Sequence, residues 1–122
     1  MTNFRLLRFD PITDGRGSLT ALQNNCEIPF EVKRIYYIYN LADNVSRGFH
    51  AHRALRQLAI CINGKCRFEL DDGSQRESFV LDSPDVGLLI DHMVWREMHD
   101  FSKDCILPVS YTHLTLPTTR LV

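Results

Sequence analysis

The chain has 122 residues, a formal net charge of −1, 44% hydrophobic residues and 24% charged ones. A balance this close to neutral argues against an electrostatic binder of nucleic acid or anionic membranes, and the length suits one domain. No apolar run approaches the roughly 18 residues of a membrane-spanning helix, and the opening MTNFRLLRFD has no signal-peptide core.

Taken in chain order, the predicted elements are short and bounded by turns. Residues 5–9 read as a strand, Asp14-Gly15-Arg16-Gly17-Ser18 as a turn, and residues 19–22 as a second strand. Residues 32–39, VKRIYYIY, are a run of branched and aromatic residues with strong β preference. A polar loop over 40–46 precedes the central stretch RGFHAHRALRQLAICING, residues 47–64. Residues 65–70 are expected to pair back on 57–62 across Asn63-Gly64, a tight hairpin signal. Asp71-Asp72-Gly73-Ser74 marks a further hairpin turn to residues 77–81, and strands over 86–90, 94–101 and 105–109 complete the set. No segment keeps a helical period. Nine or ten short strands indicate an all-β domain, closed or built of two sheets.

Chemistry concentrates in the central stretch. If it is a strand, His50 and His52 point to one face while Phe49 and Ala51 point to the other. Histidine titrates near neutral pH, so two imidazoles on one inward face can accept, donate and relay protons. On the preceding run, Tyr37 and Tyr39 share one face and Tyr36 takes the other. A divalent ion on His50, His52 and Gln57 would need His92 or His99 as a further ligand, and Gln57 brings no charge to hold it. Cys26, Cys61, Cys66 and Cys105 lack C-x2-C spacing, and three lie in apolar runs. They read as buried reduced thiols, which fits the cytoplasm. The apolar residues on both faces of 58–62 and 86–90 predict an outward surface that meets another chain. Residues 110–122, SYTHLTLPTTRLV, hold four of the chain's seven threonines and no acidic residue. They are read as an atypical tail, foreign or disordered, after a domain over 1–109.

The spacing H-x-H-x4-Q-x6-G over His50, His52, Gln57 and Gly64 resembles the first cupin motif, with Gln57 where metal-binding cupins usually carry Glu. The blocks RGFHAH, VKRIYYIY, DGRGSL, LDSPDVGLLI and VWREMHDFS together resemble the bacterial sugar 3,4-ketoisomerases of the WxcM-like cupin group. The resemblance implies a small cupin jelly-roll barrel and a homodimer with exchanged N-terminal strands. It also implies a reaction without cofactor or metal on dTDP-4-keto-6-deoxyglucose, moving the keto group from C4 to C3 in deoxysugar biosynthesis. His52 is then the expected base, His50 its partner, and Tyr37 the tyrosine expected to reach the sugar. Arg16, Arg34, Arg47, Tyr39, Gln57 and Trp95 are the expected substrate contacts. The alternatives are a metal-dependent cupin oxygenase and a non-catalytic sugar-nucleotide binding module.

Overall fold

The computed structural model describes residues 3–112. Eleven strands follow in order: β1 Phe4–Arg8, β2 Ile12–Asp14, β3 Gly17–Leu19, β4 Arg34–Ile38, β5 Arg47–His50, β6 Gln57–Ala59, β7 Cys66–Asp71, β8 Arg76–Leu81, β9 Val86–Ile90, β10 Trp95–His99 and β11 Leu107–Tyr111. One antiparallel sheet has the order β1-β9-β6-β11-β4, and a second has the order β5-β10-β7-β8. The short β2–β3 hairpin forms a sheet of its own. This is the all-β jelly-roll architecture expected from the sequence.

Period-two alternation decides which side chains fill the space between the sheets. On β7, Cys66, Phe68 and Leu70 are buried and their neighbours are not. On β11, Leu107, Val109 and Tyr111 do the same. Apart from Tyr111, they belong with Ile38, Ala59, Cys61, Leu88, Ile90, Val94 and Met98 to one apolar core. A second core lies on the other face of the five-stranded sheet. There Leu58, Ile60 and Leu89 pack against Phe9, Ile28 and Phe30, with Leu22 and Val32 at the margin. The irregular segment 20–33 is thus a third layer. It covers with the chain's own residues the apolar face that the sequence assigns to another chain.

Three local expectations change. The 57–62 strand and the 65–70 strand do not form a hairpin: β6 lies in one sheet and β7 in the other, so Asn63-Gly64 is a crossing between sheets. Gly64 adopts a φ of 72°, and a Cβ there would lie 2.9 Å from the Cys105 backbone nitrogen and closer still to Ser102. Asn63 instead bridges Ile106, holding the crossing against the segment before β11. The second strand runs over Gly17–Leu19 and pairs with Ile12–Asp14, which the sequence leaves as loop. Finally, the tail expected from Ser110 overlaps β11. Tyr111 is fully buried, pairs with Arg34 and Gln57, and accepts a hydrogen bond at its carbonyl from Lys33 N at 2.9 Å. The rest of that expected tail, residues 113–122, lies outside the described residues.

Candidate active site

Polar groups on the inner faces gather at one end of the barrel. Along β6 the inward residues run Gln57, Ala59 and then Cys61, from polar to apolar. Gln57 is paired with Tyr111, and Tyr111 with Arg34, so these three form a row across the five-stranded sheet. Opposite, on the four-stranded sheet, Arg96 pairs with Leu70 on one side and with His50 on the other.

β5 is irregular where it carries the histidines. Gly48 and Phe49 both adopt positive φ, 92° and 61°, and the pairing with β10 slips between Arg96 and Glu97. The chain then leaves the strand after His50. His52 is fixed by its backbone carbonyl, which accepts a hydrogen bond from Met93 N at 2.6 Å. The result is close to what alternation on a regular strand would give. The two imidazoles meet edge to face with ring centroids 4.5 Å apart, and Phe49 points out. Both ring nitrogens of His50 are buried without a hydrogen-bond partner. Burial lowers the His50 pKa below the ordinary histidine value, and the neighbouring Arg96 charge lowers it further. His50 is therefore a neutral imidazole at neutral pH, able to take a proton.

Arg96 is buried to 2% exposure. Its Nη2 donates to the Val94 carbonyl at 3.2 Å, while Nε and Nη1 are buried with no partner. Desolvation pulls its pKa down to about 10, so it keeps its charge at neutral pH. A buried guanidinium without a carboxylate is costly unless something anionic meets it. Beside it stands Tyr36, whose hydroxyl is pushed up to about 12 by burial, against the opposing pull of Arg96. Tyr36 is thus a hydrogen-bond donor at neutral pH and not a base. The Gln57 side chain lies against that hydroxyl, and the Arg47 charge also reaches it. Tyr111 packs its ring on Tyr36 at 5.6 Å, and its own buried hydroxyl has no partner.

The expected residues divide accordingly. His50 and His52 meet, Gln57 and Arg47 act on Tyr36, which Arg96 links to His50, and Arg34 is close enough to act on Tyr111. Tyr37 does not join them. On β4 the inward positions are Arg34, Tyr36 and Ile38, whereas Tyr37 and Tyr39 are exposed and stack on each other at 5.6 Å. Trp95 is likewise on the outer face of β10, edge-on to Phe49, with its Nε1 donating to Glu97 at 2.8 Å. Arg16 is exposed on the β2–β3 turn and ion-paired to Asp14 at 2.7 Å. His99 is held on that outer face by Glu97 at 2.9 Å, and His92 is exposed on Asp91. Among the described residues, the one convergent trio of metal-type donors is Cys61, Cys66 and Cys105. The ligand set weighed for the histidines does not assemble.

Three site residues escaped the sequence reading. Arg96 carries a signal in Val94-x-Arg96-x-Met98, since apolar neighbours two residues either side mark the inward parity. Tyr36 carries none, because β4 is aromatic on both faces. Tyr111 fell in the stretch assigned to the tail.

Comparison with known proteins agrees with this geometry. The family model described as "FdtA: WxcM-like, C-terminal" matches residues 2–113. The chain is 50% identical over 105 residues to a TDP-4-oxo-6-deoxy-alpha-D-glucose-3,4-oxoisomerase of Aneurinibacillus thermoaerophilus, covering 86% of this chain and 76% of that protein. The crystal structure of QdtA, a sugar 3,4-ketoisomerase of Thermoanaerobacterium thermosaccharolyticum solved with TDP, superposes with a TM-score of 0.90 at 38% identity, over 95% of this chain and 85% of QdtA. The WlaRB TDP-quinovose 3,4-ketoisomerase of Campylobacter jejuni superposes with a TM-score of 0.92 at 43% identity, over 96% of this chain and 90% of WlaRB. With matches of this extent in sequence and in fold, the chain belongs to the FdtA family of WxcM-like proteins.

Proposed function

We propose that the protein is a sugar-nucleotide 3,4-ketoisomerase that converts TDP-4-keto-6-deoxyglucose to its 3-keto isomer. The observation that carries this reading is the imidazole pair, 4.5 Å between centroids, facing a buried and unneutralised Arg96. The hydrogen at C3 is acidic because it lies beside the C4 ketone. His52 takes it, and negative charge develops on the C4 oxygen. The Arg96 guanidinium and the Tyr36 hydroxyl are placed to stabilise that charge in a water-poor site. His50 carries a proton between the two oxygens, a proton is delivered to C4, and the carbonyl remains at C3. No atom is gained or lost, and no redox partner is needed. On this reading Arg47 and Arg34 stand on the diphosphate side.

The test is incubation with TDP-4-keto-6-deoxyglucose in deuterium oxide, followed by NMR. The expected product carries its keto group at C3 and deuterium at C4. Binding of the nucleotide sugar with no exchange at C3 or C4 would reduce the chain to a binding module.

We further propose a cytoplasmic homodimer. The cysteines are free, which suits a reducing compartment. Edge strand β4 presents Ile35 and Tyr37 to solvent, with Tyr39 directly after it, an apolar row suited to a second copy. β1 pairs with β9 of its own chain here, and exchange would reproduce the same register with the partner. Light scattering at micromolar concentration should give twice the chain mass; a single chain mass would contradict the dimer.

A further inference from the structure

The end of the barrel opposite the histidines holds a cluster that the proposed reaction does not use. Cys61 follows β6, Cys66 opens β7, and Cys105 precedes β11, all three buried. Their sulfurs lie within 4.8 Å of one another, with Cys61 and Cys105 at 3.7 Å. Gln57 and Cys61 are four steps of extended chain apart, roughly 13 Å, so the cluster is remote from the imidazoles.

We propose that Cys61, Cys66 and Cys105 form a binding site for a thiophilic divalent ion of the zinc class. A tetrahedral ion with metal–sulfur bonds of about 2.3 Å sets its sulfurs roughly 3.8 Å apart. The Cys61–Cys105 pair already has that spacing, and no pair needs to close by more than about 1 Å, within reach of side-chain rotation. Cys61 and Cys66 bracket the Asn63-Gly64 crossing with four residues between them, inside the C-x2–4-C range of zinc sites. The third donor comes from a distant segment, which is why the sequence spacing alone points away from a metal.

The rim of the cluster is polar, which a purely apolar filler would not require. The Cys61 thiol donates to the Asn63 carbonyl at 3.2 Å, and the Asp104 carboxylate is close enough to act on Cys61 and Cys105. Three thiolates leave the fourth position of a tetrahedral ion to water. The surrounding backbone is braced in advance. Asn63 Nδ2 donates to the Asp104 carbonyl at 2.8 Å, Cys105 N to the Ser102 carbonyl at 3.1 Å, and Lys65 N to Ser102 Oγ at 2.9 Å. Binding releases the protons of the thiols it captures.

The experiment is a titration of the reduced, chelator-treated protein with Cd²⁺, read by the ultraviolet thiolate-to-cadmium charge-transfer band. The expected result is saturation at one ion per chain, displacement by Zn²⁺, and release of close to three protons per ion. Cys26→Ser, which alters the exposed cysteine, should bind as the parent does. Cys61→Ser and Cys105→Ser should weaken binding by at least about 100-fold. Where a serine variant fails to fold by circular dichroism, mapping of iodoacetamide labelling on the parent takes its place. In a urea concentration at which the metal-free parent labels at all four thiols, bound Zn²⁺ should then slow labelling of Cys61 and Cys105 and leave that of Cys26 unchanged. A parent that takes up no stoichiometric Cd²⁺, a band that survives in folded Cys61→Ser and Cys105→Ser, or a band lost in Cys26→Ser would each overturn the site.

Discussion

Arg96 and the two histidines set the terms at the scale of single residues. A buried arginine whose Nε and Nη1 meet nothing destabilises the fold and is tolerated where it serves a ligand. Arg96→Met, of similar reach and without charge, should therefore leave stability unchanged or raise it by about 1–4 kcal/mol. Turnover should fall by about 10²–10³-fold, the usual cost of losing one stabilising donor. Urea midpoints and steady-state rates on the same preparation check both halves, and a clear loss of stability would show that Arg96 is structural. His52→Asn keeps size and hydrogen bonding without basicity, and should lower turnover about 10²–10⁴-fold with little change in nucleotide affinity. A dead His50→Asn beside an active His52→Asn would reverse their roles. His50 also makes stability depend on pH, with a definite sign. Its folded pKa lies below the ordinary 6.5. As pH falls through that value, the unfolded chain gains a proton that folded His50 refuses, so stability drops. Urea unfolding at about pH 7.5 and about pH 5.5 should show a larger loss for the parent than for His50→Asn. Equal losses would mean that His50 is not desolvated. The histidine pair was legible in the sequence because H-x-H states its own parity. Tyr36 against Tyr37 was not, because only tertiary packing chooses between two aromatic faces.

Among the elements, β5 shows how local irregularity aims side chains. Its expected strand geometry holds only through His50, and the positive φ at Gly48 and Phe49 turns the chain so that His52 still meets His50. Gly48 is required twice over: its φ is 92°, and a Cβ would sit 2.9 Å from the Arg96 carbonyl oxygen. Gly48→Ala should cost about 1–3 kcal/mol and lower turnover by shifting His50 against Arg96. Gly15→Ala, where a Cβ meets open space, is the control and should be neutral. If the two alanine variants unfold at the same urea concentration, the strain assigned to Gly48 is absent. The β7–β8 hairpin was readable from Asp72-Gly73, since the turn and the alternation agree. The crossing at Asn63-Gly64 uses the same residue pair type for another purpose. What separates them is that residues 58 and 60 already have a second core to fill, which holds β6 in the other sheet.

For the molecule as a whole, the outward apolar residues of β6 and β9 are the instructive case. Alternation with a polar outer face fails there, and the sequence alone offers two explanations, another chain or another layer of this one. The structure answers with segment 20–33, whose Phe30 is buried over Leu58, Ile60 and Leu89. Between the runs read as strands at 19–22 and 32–39, residues 23–31 have the period of neither strand nor helix, so the packing role of that stretch could not be read locally. Phe30 is held from outside as well: the Arg56 guanidinium lies 5.5 Å from its ring centroid and donates from Nη1 to the Pro29 carbonyl at 2.8 Å. Phe30→Ala should lose about 3–5 kcal/mol, the cost of truncating a buried aromatic ring. It should also uncover the apolar face of the five-stranded sheet. Dye binding by exposed hydrophobic surface and concentration-dependent association should then rise. The inner face of that sheet, with Gln57 and Tyr36, is separated from Phe30 by the sheet itself. At a temperature where the variant is folded, turnover should therefore stay within about twofold of the parent. An unchanged melting temperature would mean that segment 20–33 contributes no core. Lost turnover in a fully folded variant would mean that the two faces of the sheet are coupled.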